Sequence, residues 1–135
     1  MIVKLIRSGT FMASLVVATA SLAAAASTPT LETFRAAFAA ARALPLGSRP
    51  SPPDLEPTSL IHTSFLTLRA YLGHSTRLDC DDLLTRPAET CASFTYGPGP
   101  EDPPGSITVT TGGPWLLVVG LSNGRVVDAR WLGQK

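Results

Sequence analysis

Asn123-Gly124 stands between two apolar, β-branched runs, WLLVVGLS before it and RVVDARWL after it. Asn-Gly is a strong hairpin signal, because both central residues of a type I′ turn need positive φ and these two tolerate it. The dipeptide therefore predicts two antiparallel strands joined by a two-residue loop. It also fixes a register: Ser122 opposite Arg125, Gly120 opposite Val127, Val118 opposite Ala129 and Leu116 opposite Trp131. Beyond the tip that face is wholly apolar or glycine and is expected to form the core. The other face sets Leu117, Val119 and Leu121 against Val126, Asp128 and Arg130, a mixed surface. The segment Gly120–Gly124 also matches the Gly-x-Ser-x-Gly nucleophile pattern. A nucleophile elbow requires a strand, a strained turn and then a helix. Here the residues after the turn alternate as a strand, and no histidine follows Ser122. Ser122 is expected to serve the hairpin, not catalysis.

Upstream, TLETFRAAFAAARAL has helical spacing. Leu31, Phe34, Phe38, Ala41 and Leu44 make one apolar stripe, Thr30 is placed to cap the start, and Pro45 ends the run. PLGSRPSPPDLEPT carries five prolines in fourteen residues and reads as a stiff, extended connector in preference to a proline-rich docking peptide. SLIHTSFLTLRAYLGHS is expected to be a second helix, with Leu60, Ile61, Phe65, Leu68 and Leu72 on one side and Gly73 as its stop. Its threonines and aromatics also suit a strand, and Ser64 is an alternative cap that leaves 59–63 extended. CASFTYG then alternates, GPGPEDPPG is a breaker-rich loop, and SITVTT alternates again. Helix, helix and antiparallel meander predict an α+β fold, with two helices on one face of a three- to four-stranded sheet.

MIVKLIRSGTFMASLVVATASLAAAAS has a basic start at Lys4 and Arg7, an apolar run and a small-residue close. That is the layout of a secretory signal peptide over residues 1–26, with Ala18 and Ala20 marking a second cleavage point. Residues 27–58 then hold the first helix and connector, and 59–135 the α+β core. Export to the periplasm or beyond agrees with the two cysteines, Cys80 and Cys91, whose even count and close spacing predict a disulfide. Eleven Lys and Arg against ten Asp and Glu leave the chain near neutral. Without a basic cluster there is no electrostatic case for nucleic acid or an anionic membrane.

His62, His74, Asp79, Asp81 and Asp82 are the residues with metal-ligand chemistry, yet the histidines are twelve apart. They read as surface groups, so no metal or cofactor is expected. The informative surplus is aromatic. On the register above, Trp115 falls on the face away from the core beside Leu117 and Val119, with Tyr96 nearby. Together they are expected to form a protein-binding surface, unless the first helix and the connector cover that face.

LRAYLG, Cys80, ten intervening residues, Cys91 and a strand meander resemble the repeat unit of β-lactamase-inhibitor-protein-like domains. Leu72-Gly73, Phe94-Thr95-Tyr96 and Leu121–Val126 similarly resemble the SmpA/OmlA (BamE-like) outer-membrane assembly lipoproteins. The resemblance spans roughly residues 59–132 and implies an α+β domain that binds another protein, with Cys80 and Cys91 as structural residues. The expected function is that of a small exported, non-enzymatic module binding an envelope or secreted protein. An inhibitor of a secreted hydrolase is the first alternative, and a small enzyme using His62 or His74 the second.

Overall fold

Residues 25–48, 50–51, 54–81, 83–99 and 115–133 are described by a computed structural model. The expected signal peptide, up to residue 24, and the SITVTT stretch lie outside them. The first helix, α1, spans Thr28–Arg42 and begins one turn earlier than its spacing suggests. Ser27, not Thr30, is the cap: its Oγ accepts the Thr30 amide at 3.2 Å. Pro29 then falls in the first turn, where a missing N–H costs nothing and the fixed φ favours helix. Leu31, Phe34, Phe38 and Ala41 are buried as expected. Leu44 is not; it lies beyond the helix end and is 38% exposed.

The second helix is shorter than the apolar pattern implies. A 3-10 turn, Pro57–Leu60, precedes α2 at Phe65–Leu72, and the Ser64 Oγ caps α2 by accepting the Thr67 amide at 3.1 Å. Residues 62–64 cannot extend the helix backwards, because the backbone here is committed to the hairpin. The His62 amide donates to Val126 O at 2.8 Å, the Val126 amide to Thr63 O at 2.9 Å and the Phe65 amide to Gly124 O at 2.8 Å. His62 takes φ +77° to make that junction, and Gly73 closes α2 at φ +96°.

Among the described residues four strands follow in spatial order β1-β2-β3-β4, all antiparallel: β1 Thr76–Leu78, β2 Thr90–Tyr96, β3 Trp115–Ser122 and β4 Arg125–Gly133. The fold is the expected α+β arrangement, with β1 as an additional edge strand. The Asn123-Gly124 turn is present, both residues having positive φ (+53° and +74°). Ser122 does face Arg125, but the register breaks two pairs further on. Leu121 opposes Val126, whereas Gly120 opposes Asp128, which leaves Val127 as the extra residue of a bulge. Beyond it Val119 meets Ala129, Leu117 meets Trp131 and Leu116 meets Leu132.

The bulge inverts the expected assignment of faces. Leu117, Val119 and Leu121 now share a face with Ala92, Phe94 and Tyr96 of β2 and with Val126 and Ala129 of β4. This face packs on Leu31, Phe34, Phe38, Leu68 and Leu72 of the helices to form the core. Fully burying one such side chain contributes about 1.5–3 kcal/mol. Phe38, Tyr96 and Trp131 lock together across it, with ring centroids 5.2 Å apart for Phe38–Tyr96 and 5.4 Å for Tyr96–Trp131. The opposite face is not open either: Cys91, Ser93, Leu116, Val118 and Asp128 are buried. Burial on both sides accounts for the unbroken apolar run of β3.

Candidate functional site

The aromatic surface expected from the sequence is not a surface. Leu117 and Val119 are fully buried, Tyr96 is 8% exposed, and Trp115 is half-buried against the core. The connector completes the cover. Trp115 Nε1 donates to Pro50 O at 3.0 Å and Trp131 Nε1 to Leu55 O at 3.2 Å, so two indoles pin the proline-rich segment across the helical side of the sheet. The alternative reading, in which helix and connector cover that face, is the correct one. Burial also raises the Tyr96 phenol above its ordinary range.

On the other side of the sheet, the chain between β1 and β2 folds back over β3 and β4. Cys80 is joined to Cys91, with Cα atoms 5.3 Å apart. Asp128 holds the middle of the segment: its Oδ2 accepts the Thr85 amide at 3.0 Å, the Thr85 hydroxyl at 3.0 Å and the Arg86 amide at 3.1 Å, while Oδ1 accepts the Ala129 amide at 2.9 Å. Burial works to raise the Asp128 pKa, but these four donors outweigh it and hold the carboxyl below its ordinary value. Glu89 fixes the far end. Its amide donates to Leu121 O at 2.8 Å and to Ser122 Oγ at 3.3 Å, and its Oε1 accepts the Asn123 amide at 3.0 Å.

That packing explains every element of the Gly-x-Ser-x-Gly match. A side chain at Gly120 would strike Leu84 and come within 2.8 Å of the Ala88 Cβ. Gly124 serves the turn, and the Ser122 hydroxyl accepts a backbone amide. His62 is exposed, with its carbonyl accepting Arg125 Nη1 at 2.8 Å; His74 is half-buried just past α2. Among the described residues no group of three or more His, Cys, Asp or Glu side chains converges to hold a metal. Nor is any helix among them long and apolar enough to cross a membrane.

The concavity with mixed chemistry lies at the β1 end of the sheet. A cleft of ≈ 480 Å³ opens between α2, β1 and the hairpin tip, with Phe65, Ala92 and Leu121 as its apolar part and Arg69, Arg77 and Glu89 around it. Arg77 faces this side because it pairs with Ala92, whose side chain belongs to the core face. Arg69 lies over the Phe65 ring, 5.8 Å from its centroid. Among the described residues the ion pair is Arg35–Glu32, far along the chain, and within them neither Arg69 nor Arg77 has a carboxylate partner. A second depression of ≈ 620 Å³, bordered by Asp79 and Asp81, shares Arg77, Glu89 and Thr90 with the cleft. Neither histidine lines either space.

No protein-family model, characterised protein or solved structure matches the chain. No spacing in the sequence links Arg69, Arg77 and Glu89. They meet only because β1 carries Arg77 beneath α2, and three residues are too few to show a strand's alternation.

Proposed function

We propose that this chain is an exported, non-enzymatic module that binds another envelope or secreted protein through the cleft between α2, β1 and the hairpin tip. The observation that carries the reading is a pair of guanidinium groups, Arg69 and Arg77, without a carboxylate partner among the described residues and beside an apolar floor. Arginine beside a partly accessible aromatic ring is the composition of interface anchors, and a guanidinium that faces water loses little by exchanging it for a carboxylate. The leader and the Cys80–Cys91 disulfide support an oxidising destination. An inhibitor of a secreted hydrolase is the special case in which the partner is an enzyme.

The test is site-directed cross-linking in cells, with a photoreactive residue in place of Leu66, which is 77% exposed on α2 next to the cleft. A discrete adduct that disappears in Arg69→Glu/Arg77→Glu, and persists in the control Arg130→Glu on another part of the sheet, supports the reading. An adduct indifferent to the two cleft arginines overturns it. Loss of hydrolytic activity in the captured partner identifies the inhibitor case.

A further inference from the structure

We infer that the cleft takes an extended, internal segment of its partner in which an acidic side chain adjoins an aliphatic one. This rests on the binding reading above and specifies what is bound. The carboxylate sits between Arg69 and Arg77, and the aliphatic side chain lies on Phe65, Ala92 and Leu121. Three features of the geometry favour that occupant.

The first is charge. Glu89 is the acid at the cleft, and one of its oxygens already accepts the Asn123 amide at 3.0 Å. The two arginines therefore leave a local excess of positive charge, and an incoming carboxylate gains charge-assisted hydrogen bonds from both. The second is the floor. Arg69 keeps its guanidinium over the Phe65 ring, so the charged and apolar parts of the site are contiguous and call for a ligand with both in adjacent positions. The third is continuity. The depression edged by Asp79 and Asp81 shares Arg77, Glu89 and Thr90 with the cleft. Two adjoining concavities suit a chain running across both better than a chain terminus, and the acidic one suits a basic residue further along the same segment. The same acids exclude a polyanion. A nucleic acid or polyphosphate long enough to use both arginines would meet Asp79, Asp81 and Glu89 along its path.

The probes are blocked ten-residue peptides carrying Asp-Leu in one half and Lys in the other, titrated into the isotopically labelled full domain and followed by amide chemical shifts. The Asp→Asn peptide and inorganic polyphosphate serve as comparisons. Expected are shifts confined to residues 65–69, 75–79, 89–92 and 121, and binding about tenfold weaker for the Asn peptide, as loss of one charge-assisted contact implies. Arg69→Glu/Arg77→Glu should weaken the Asp peptide by at least as much. Both arginines are exposed, so the variant is expected to fold; the Asp/Asn comparison on the unaltered domain decides the matter even if it does not. Equal binding of the Asp and Asn peptides, shifts elsewhere on the domain, or polyphosphate binding as tightly as the Asp peptide overturns the inference. If the peptides fail while the arginine-dependent cross-link persists, the partner presents a folded surface: the segment proposal falls and the binding reading stands. If the cross-link is also indifferent to the arginines, both fall.

Discussion

Asp128 shows how one side chain can determine the use of a whole segment. Four hydrogen bonds converge on its carboxylate, and they exist only in the folded chain. Because those donors favour the charged form, the folded group binds its proton less readily than the unfolded one, whose value is near 3.9. Its contribution to stability is therefore complete above about pH 4 and is lost as the pH falls through the depressed folded value. Thermal unfolding of the wild type should lose midpoint temperature between roughly pH 5 and pH 2. Asp128→Asn should start lower at pH 7 and fall less over that range; parallel curves would show that Asp128 is not the group responsible. The glycines of the hairpin make a second residue-level test. Gly120→Ala must displace Leu84 and the Ala88 methyl group and should cost about 1–3 kcal/mol in denaturant unfolding. Gly124→Ala meets open space but keeps φ +74°, at about 1–2 kcal/mol. Ser122→Ala removes one amide acceptor and should cost about 1 kcal/mol or less. Had Ser122 a buried functional network, its replacement would instead be the costliest of the three.

At the level of elements, the sequence was most informative where periodicity is long. The stripe Leu31–Phe34–Phe38–Ala41 marks the buried side of α1 over three turns, and Phe38 touches both Tyr96 and Trp131. Phe38→Ala should cost about 3–5 kcal/mol, measured by chemical denaturation, through the cavity left among those rings. The hairpin was equally plain, since Asn123-Gly124 dictates its own φ values. Its register was not. Val126 and Val127 suit a regular strand equally well, and nothing local announces that Val127 is the inserted residue. One such insertion moves every later side chain of β4 to the other face. That is why Trp115, Leu117, Val119 and Tyr96, read as an outer strip, lie instead beneath the helices and connector. The cleft was illegible for a different reason: Arg77 sits on a strand of three residues, and its approach to Arg69 and Phe65 is a product of tertiary packing.

Across the molecule, segments distant in sequence close the two sides of one sheet. The Ala26 amide donates to the buried Thr63 Oγ1 at 3.0 Å, a bond that removal of a leader after Ala26 would forfeit. A chain beginning at Ser27 should be less stable than one beginning at Ala25 by about 0.5–1.5 kcal/mol in matched denaturant titrations. Equal stability would show that the Thr63 hydroxyl finds water instead. The segment from Cys80 to Glu89 has a wider consequence. It is fastened covalently at its start and by an anionic grip at Thr85 and Arg86, and the two fastenings answer to unrelated stimuli, electrons and protons. In hydrogen exchange the Thr85 and Arg86 amides should remain protected under reductant at neutral pH. They should also remain protected with the cystine intact as the pH falls to the ordinary carboxylate range, and lose protection first where reductant is combined with a pH low enough to protonate the depressed Asp128. The cover over Gly120 is thus held redundantly, by a covalent bond at Cys80, a carboxylate at Thr85 and Arg86, and the Glu89 bonds to the hairpin tip, so no single chemical change lifts it.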